Sequence, residues 1–165
     1  MDHSILQKKP MRRQDRKLAS EEVREILKTG EYGILATVTG DGKPYSIPLN
    51  YAWDEREEAL YMHCSAEGGQ KIDNIRFCPD VCFTIVARTE LMPEKFATKY
   101  WSANVFGTVS VIEDGPKKQQ GIEAILRKYA PDHVERGLKY IEGAIRKIYV
   151  LKLDIHEVTG KARKL

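Results

Sequence analysis

The stretch His63-Cys64-Ser65-Ala66-Glu67-Gly68-Gly69-Gln70-Lys71 gathers the residue types that hold an anion. Successive amides in a glycine-containing turn form a concave cradle for negative charge. A helix that begins at its end adds unpaired N–H groups and the positive end of a dipole, and Lys71 adds a full charge. Ser65 contributes a hydroxyl. Such a set suits a phosphate monoester. The same residues also fit an ordinary strand-to-helix turn with a surface lysine, and both readings stand at this level. The spacing is not that of a Walker A loop, which needs four residues between its first glycine and its Gly-Lys pair.

Other constellations are weaker. Tyr100 and Trp101, followed by Ser102 and Asn104, can flank a planar ring or seal a core or an interface. His63, Cys64, Cys78 and Cys82 lack the paired spacing of a zinc finger, so no metal site is expected, and Cys82 reads as a small core residue. His156-Glu157 would open a zincin helix, but Gly160 stands where the second histidine is required. No Gly-x-Ser-x-Gly elbow is present for a serine hydrolase. Asp41, Asp54, Asp73 and Asp114 fall in turns or helix starts, where acids serve structure, and no catalytic carboxylate pair emerges.

The elements around these residues follow from periodicity. Ser20 reads as an N-cap, with Glu21 and Glu22 in the first turn, Val23, Ile26 and Leu27 on one face, and Gly30 as the stop. Tyr32 to Thr39 is strand-like, Gly40-Asp41-Gly42 is a hairpin loop, and Lys43 to Trp53 returns as a second strand. Pro44 and Pro48 lack amide donors, which places that return at an edge, at a bulge, or where backbone faces a ligand. Ala59 to Cys64 is a third strand, and Lys71 to Phe77 a short helix that Pro79 ends. Val81 to Arg88 is nearly all apolar, which predicts cover on both faces. Tyr100 to Ile112 is one long strand with a bend or bulge at Gly107, a helix pair lies near residues 116–145, and alternation from Tyr149 to Ile155 marks a closing strand. Six hairpin-joined strands of this length predict a mainly β fold with peripheral helices, an antiparallel sheet that closes into a barrel. Rossmann alternation is absent.

The 165 residues carry 42% hydrophobic and 31% charged side chains, the values of a folded domain able to bury a core. The expected division is a basic arm over 1–19 and one domain over 20–165. Lys8, Lys9, Arg12, Arg13, Arg16 and Lys17 crowd the arm, but no aromatic residue interleaves them for base stacking. A net charge of +3 demands neither nucleic acid nor an acidic membrane, and neither is expected as a partner. Three cysteines, no secretory signal and no long apolar run predict a cytoplasmic protein.

Six segments in order carry a family resemblance: Met11-Arg12-Arg13-Gln14-Asp15-Arg16, Pro48-Leu49-Asn50-Tyr51, Leu60-Tyr61-Met62-His63-Cys64, Gly69-Gln70-Lys71-Ile72-Asp73-Asn74-Ile75-Arg76, Pro79-Asp80-Val81-Cys82-Phe83 and Phe106-Gly107. Together they resemble the FMN-binding split-barrel superfamily related to pyridoxamine 5′-phosphate oxidase, in particular its nitroimidazole-resistance (Nim-like) branch. The resemblance implies a six-stranded split barrel, a homodimer, and FMN in a cleft between subunits. It places the FMN phosphate near Ser65, Gly69 and Lys71, with Cys64 and Gln70 in the same loop region. It also places Pro48, Leu49, Asn50 and Tyr51 along the flavin ring, and Trp101, Ser102 and Asn104 at the border of the cleft. His63 would lie beside flavin or substrate, as a proton donor to a small organic substrate such as a nitroaromatic, or as a structural histidine. The chain departs from the pattern by one extra residue at Gly68 or Gly69 and by Trp101 where arginine is common. The resemblance points first to a dimeric FMN-dependent reductase of small organic substrates, with a flavin binder without catalysis and a pyridoxamine 5′-phosphate oxidase as the alternatives.

Overall fold

The computed structural model describes residues 10–164; Lys8 and Lys9 of the basic arm lie outside them. The elements run α1 (Ser20–Thr29), β1 (Gly33–Val38), β2 (Pro44–Leu49), β3 (Ala52–Asp54), β4 (Ala59–Ser65), α2 (Gln70–Phe77), β5 (Asp80–Met92), β6 (Ala97–Ile112), α3 (Pro116–Tyr129), α4 (Val134–Ala144) and β7 (Ile148–Arg163). All strand pairings are antiparallel, in the order β2-β1-β5-β6-β7-β4-β3. The two edge strands, β2 and β3, are joined in the chain by Asn50 and Tyr51 alone. Both ends of the sheet therefore meet at that corner, and the sheet curls into a barrel with a slit.

The expected count of six strands in a closed sheet is corrected to seven strands in an unclosed one. The expected strand 43–53 breaks in two at Asn50 and Tyr51. The Tyr51 N–H donates to the Tyr129 hydroxyl at 3.0 Å, and its carbonyl accepts from the same hydroxyl at 3.0 Å. Both ladder groups of Tyr51 are thus taken by α3, and Pro48 has no amide to offer.

Alternation along the strands sends one set of side chains into the barrel. Leu35, Tyr51, Leu60, Met62, Phe83, Ile85, Val105, Leu151 and Leu153 are fully buried there. Each such side chain contributes about 1.5–3 kcal/mol of transfer free energy. Helix α1 buries Val23, Ile26 and Leu27 against β5, β6 and β7. Its N-cap is Ala19, not Ser20, and the Glu22 carboxylate accepts the Ala19 N–H at 3.3 Å. A second cluster, with Tyr61, Ile122, Ile125, Ile141 and Val150, fixes α3 and α4 on the outer face of β4 and β7.

Cover on both faces of β5 is not seen in the single chain. Val81, Phe83 and Ile85 are buried, whereas Val86 on the opposite face is exposed. Cys82 likewise faces outward, half-buried, rather than into the core. Strands β5 and β7 outrun their expected ends because their tips pair with β6, at Met92↔Ala97 and Tyr100↔Arg163. The β6–β7 register shifts between Phe106 and Gly107, as the sequence suggests, but the extra residue is His156 on β7, opposite Gly107. A Cβ at Gly107 would collide with the Asp154 carbonyl. No described helix is long and apolar enough to cross a membrane.

Candidate functional site

Strand β4 delivers the chain into a turn at Ser65–Gly69, and α2 starts at Gln70. The Ser65 hydroxyl accepts the Glu67 N–H at 3.2 Å, and the Ala66 N–H donates to the Lys147 carbonyl at 2.9 Å, which anchors the turn to the start of β7. Gly68 and Gly69 have φ of 87° and 112°, a backbone that side chains oppose. A Cβ at either position would meet nothing within 4 Å, so open space lies in front of them. The N–H groups of Ile72 and Asp73 donate to the Gly69 carbonyl, whereas those of Gln70 and Lys71, the first two of α2, have no intrahelical acceptor and lie beside the same turn. Lys71 is half-buried, and among the described residues no carboxylate pairs with it. An unpaired cation, free amides and an open concavity coincide here.

His63 and Ser65 point to one face of β4, about 7 Å apart by strand geometry. That face continues from the cradle to the slit. There Glu31, Tyr32, Pro48, Leu49, Asn50 and His63 line a cleft of about 620 Å³. The Asn50 side-chain amide donates to the Glu31 carbonyl at 3.3 Å, and the Tyr129 hydroxyl donates to the same carbonyl at 2.5 Å. The Lys128 ammonium donates to the Gly30 carbonyl at 2.7 Å and sits 3.5 Å from the centre of the Tyr51 ring. The C-terminal turn of α3 thus clamps both walls of the slit. Burial lowers the Lys128 pKa to about 8. His63 keeps exposed surface, yet the surrounding walls push its pKa below the ordinary histidine value. Its neutral form therefore prevails at pH 7.

Other residues expected at one site do not join it. The Tyr51 ring lies in the core, edge-on to Phe83, and its hydroxyl donates to the Ile26 carbonyl. Its backbone groups are held by Tyr129, so neither part of Tyr51 faces the cleft. Cys64 is buried in the barrel, where desolvation raises its thiol pKa against the pull of Lys71. The Gln70 carboxamide is bonded to Asn74. Trp101 points toward α1 with the Arg88 guanidinium over its ring, because neighbours on a strand face opposite ways. Ser102 and Asn104 face out and line a separate cavity of about 650 Å³ with Met11, Lys17, Phe106 and Lys161. Glu31, Tyr32, Lys128 and Tyr129 at the slit escaped the sequence reading; Lys128-Tyr129 at a helix end carries no local signal of its contacts. Among the described residues no three His, Cys, Asp or Glu side chains cluster as metal ligands.

The residues present fit a phosphate-bearing cofactor such as FMN. The cradle offers one compact anion site, the space in front of its glycines is open, and the apolar Pro48–Leu49 wall lies along the continuing face.

Comparison with known proteins agrees with this geometry. The sequence matches no curated protein. Among solved structures, one resembling it is a protein of Bacteroides thetaiotaomicron to which 5-nitroimidazole antibiotic resistance is provisionally ascribed. It shares 24% identity over 88% of this chain and 86% of that one, with a TM-score of 0.74. The flavocytochrome Anf3 of Azotobacter vinelandii shares 21% identity over 94% of this chain and 73% of that one, with a TM-score of 0.78. An FAD-binding protein of Mesorhizobium loti shares 23% over 90% and 98%, with a TM-score of 0.62. These likenesses are of fold. The pyridoxamine 5′-phosphate oxidase family model matches residues 19–162, nearly the whole described chain. With its curled antiparallel sheet and peripheral helices, the chain belongs to the pyridoxamine 5′-phosphate oxidase family.

Proposed function

We propose that this protein is an FMN-dependent oxidoreductase, active as a homodimer, that reduces small planar organic substrates, nitroaromatic compounds among them. The observation that carries the reading is Lys71, a cation with no carboxylate partner among the described residues, beside open amides and a glycine turn. FMN, not FAD, is the expected flavin, since the cradle is one compact anion site and no Rossmann unit accompanies it for an adenylate. When bound, the flavin supplies hydride or electron transfer. Lys71 and the first amides of α2 hold the phosphate, Ser65 shapes the turn, and Pro48 and Leu49 wall the ring. Ser102 and Asn104 line a cavity apart from the slit, so their share in flavin binding requires a second copy of the chain. The exposed outer face of β5 and that cavity are the surface such a copy would cover.

A second reading, a flavin binder without catalysis, is favoured by one observation. Burial lowers the His63 pKa and so disfavours the imidazolium that would donate a proton. It can still donate a hydrogen bond. Absorption spectra of pure protein with added FMN test the cofactor, and light scattering tests the dimer. Anaerobic reoxidation of the reduced flavin by a nitroimidazole, compared with free FMN, tests the activity. Protein that fails to bind FMN would end the proposal, and reoxidation no faster than free FMN would leave only the binder.

A further inference from the structure

One buried polar chain is unexplained by the cradle itself. Asn74 is fully buried on the inner face of α2, between Ile72 and Ile75, where an apolar residue would be expected. Thr37, on the inward face of β1, is also buried. The Gln70 side-chain amide donates to Asn74 Oδ1 at 2.7 Å, and Asn74 Nδ2 donates to Thr37 Oγ1 at 2.9 Å. Thr37 Oγ1 in turn donates to the Tyr45 carbonyl on β2 at 3.2 Å. The direction of this chain is forced. A backbone carbonyl can only accept, so Thr37 spends its single proton on Tyr45 and must accept from Asn74. Asn74 then offers its oxygen to Gln70.

We infer that Thr37 and Asn74 are positioning residues that aim the first turn of α2 at the anion. The inference rests on the proposed role of the cradle in binding a flavin phosphate. Helix α2 has only eight residues and sits at the end of a glycine turn with no side-chain cap. Its apolar contacts through Ile72 and Ile75 fix its depth against the barrel but leave rotation about its axis weakly defined, because such contacts are non-directional. The relay supplies direction. It ties Gln70, the first helical residue, to the β1–β2 hairpin at Thr37↔Tyr45. The Gln70 side chain is thereby turned toward the barrel, leaving its backbone N–H and that of Lys71 to face the ligand. A satisfied buried network of this kind specifies one arrangement, and a broken one leaves an amide donor unpaired.

The test measures affinity for FMN and for riboflavin, which differ only in the phosphate, by quenching of flavin fluorescence. The ratio of the two affinities isolates the anion cradle, and a general loss of stability lowers both alike. Thr37→Val keeps shape but cannot accept from Asn74; its ratio is expected to fall roughly fivefold or more, with riboflavin affinity unchanged. Thr37→Ser restores the hydroxyl and is expected to restore the ratio. Gln70→Ala, at an exposed side chain that folding tolerates, is expected to lower the ratio as well. A ratio at the wild-type value in Thr37→Val, or in Gln70→Ala if the valine variant does not fold, would overturn the inference. A wild-type ratio near one would overturn the phosphate reading of the cradle and this inference with it.

Discussion

Replacing Tyr129 by phenylalanine removes one oxygen atom and leaves the ring, and that oxygen holds the corner where the two edges of the sheet meet. It accepts the Tyr51 N–H at 3.0 Å, and its single proton is shared between the carbonyls of Glu31 at 2.5 Å and Tyr51 at 3.0 Å. The Glu31 carbonyl keeps a second partner in the Asn50 amide, so its loss is partial. The Tyr51 N–H belongs to a fully buried residue and is left with no acceptor. An unsatisfied buried donor costs about 1–3 kcal/mol. Taking about 2 kcal/mol, and 2–4 °C per kcal/mol for a domain of this size, Tyr129→Phe lowers Tm by about 4–8 °C. The assay is thermal unfolding followed by circular dichroism, with Tyr140→Phe as the control at an exposed ring. The same variant is expected to weaken flavin binding, because Pro48, Leu49 and Asn50 lead directly into the released corner. A drop in Tm below about 1 °C would refute the clamp, since water would then replace the hydroxyl without loss.

Lys71→Ala is expected to cost FMN about 1.5–3 kcal/mol, the value of a charge-assisted hydrogen bond, and calorimetry with FMN reads it directly. Gly69→Ala, at φ 112°, is expected to distort the cradle and weaken FMN more than riboflavin, as fluorescence titration would show. The Glu57 carboxylate has its pKa lowered to about 2, first by Lys117 and then by Gln120 and Tyr61. A depressed carboxylate stabilises the fold above its ordinary value of 4.5, and that contribution fades as pH falls toward 2. Glu57→Gln is therefore expected to flatten the acid limb of a Tm–pH curve while lowering Tm at pH 7. His63 is expected to titrate below 6.5 by nuclear magnetic resonance, and its protonation opposes folding as pH falls through that range.

Much of this architecture is legible because local signals and global packing agree. The phase of Val23, Ile26 and Leu27 already gives the buried face of α1, and the glycine at 107 marks where the β6–β7 register shifts, although the extra residue, His156, belongs to β7. The two prolines of β2 mark an edge, and β2 is one. The break of the second strand is different in kind. It is imposed by Tyr129, 78 residues away in sequence, and nothing near Tyr51 records it. The same holds for Trp101. Alternation says that it and Ser102 face opposite ways, but not which way is inward until α1 and the barrel are placed. The glycine turn ahead of α2 is legible because its signal is local, whereas the slit is assembled from five elements or turns and leaves no contiguous motif.

The placement of β7 bears on how the chain can be made. Among the described residues it is the one strand that links the group β2-β1-β5-β6 to the pair β4-β3, and it follows all the others in sequence. A ribosome that has released residues up to 147 has produced two sheet fragments, with β6 and β4 each presenting an unpaired edge. At a synthesis rate of about 5–20 residues per second, the missing sixteen follow within roughly one to three seconds. Through that interval unpaired strand edges are open templates for mispairing, the kind of exposure that chaperones guard against. His63 rides on β4 and Pro48 on β2, so the cleft between them comes into being only when the two fragments are stitched. A ligand of that cleft can therefore serve the finished fold, but it cannot template its early stages.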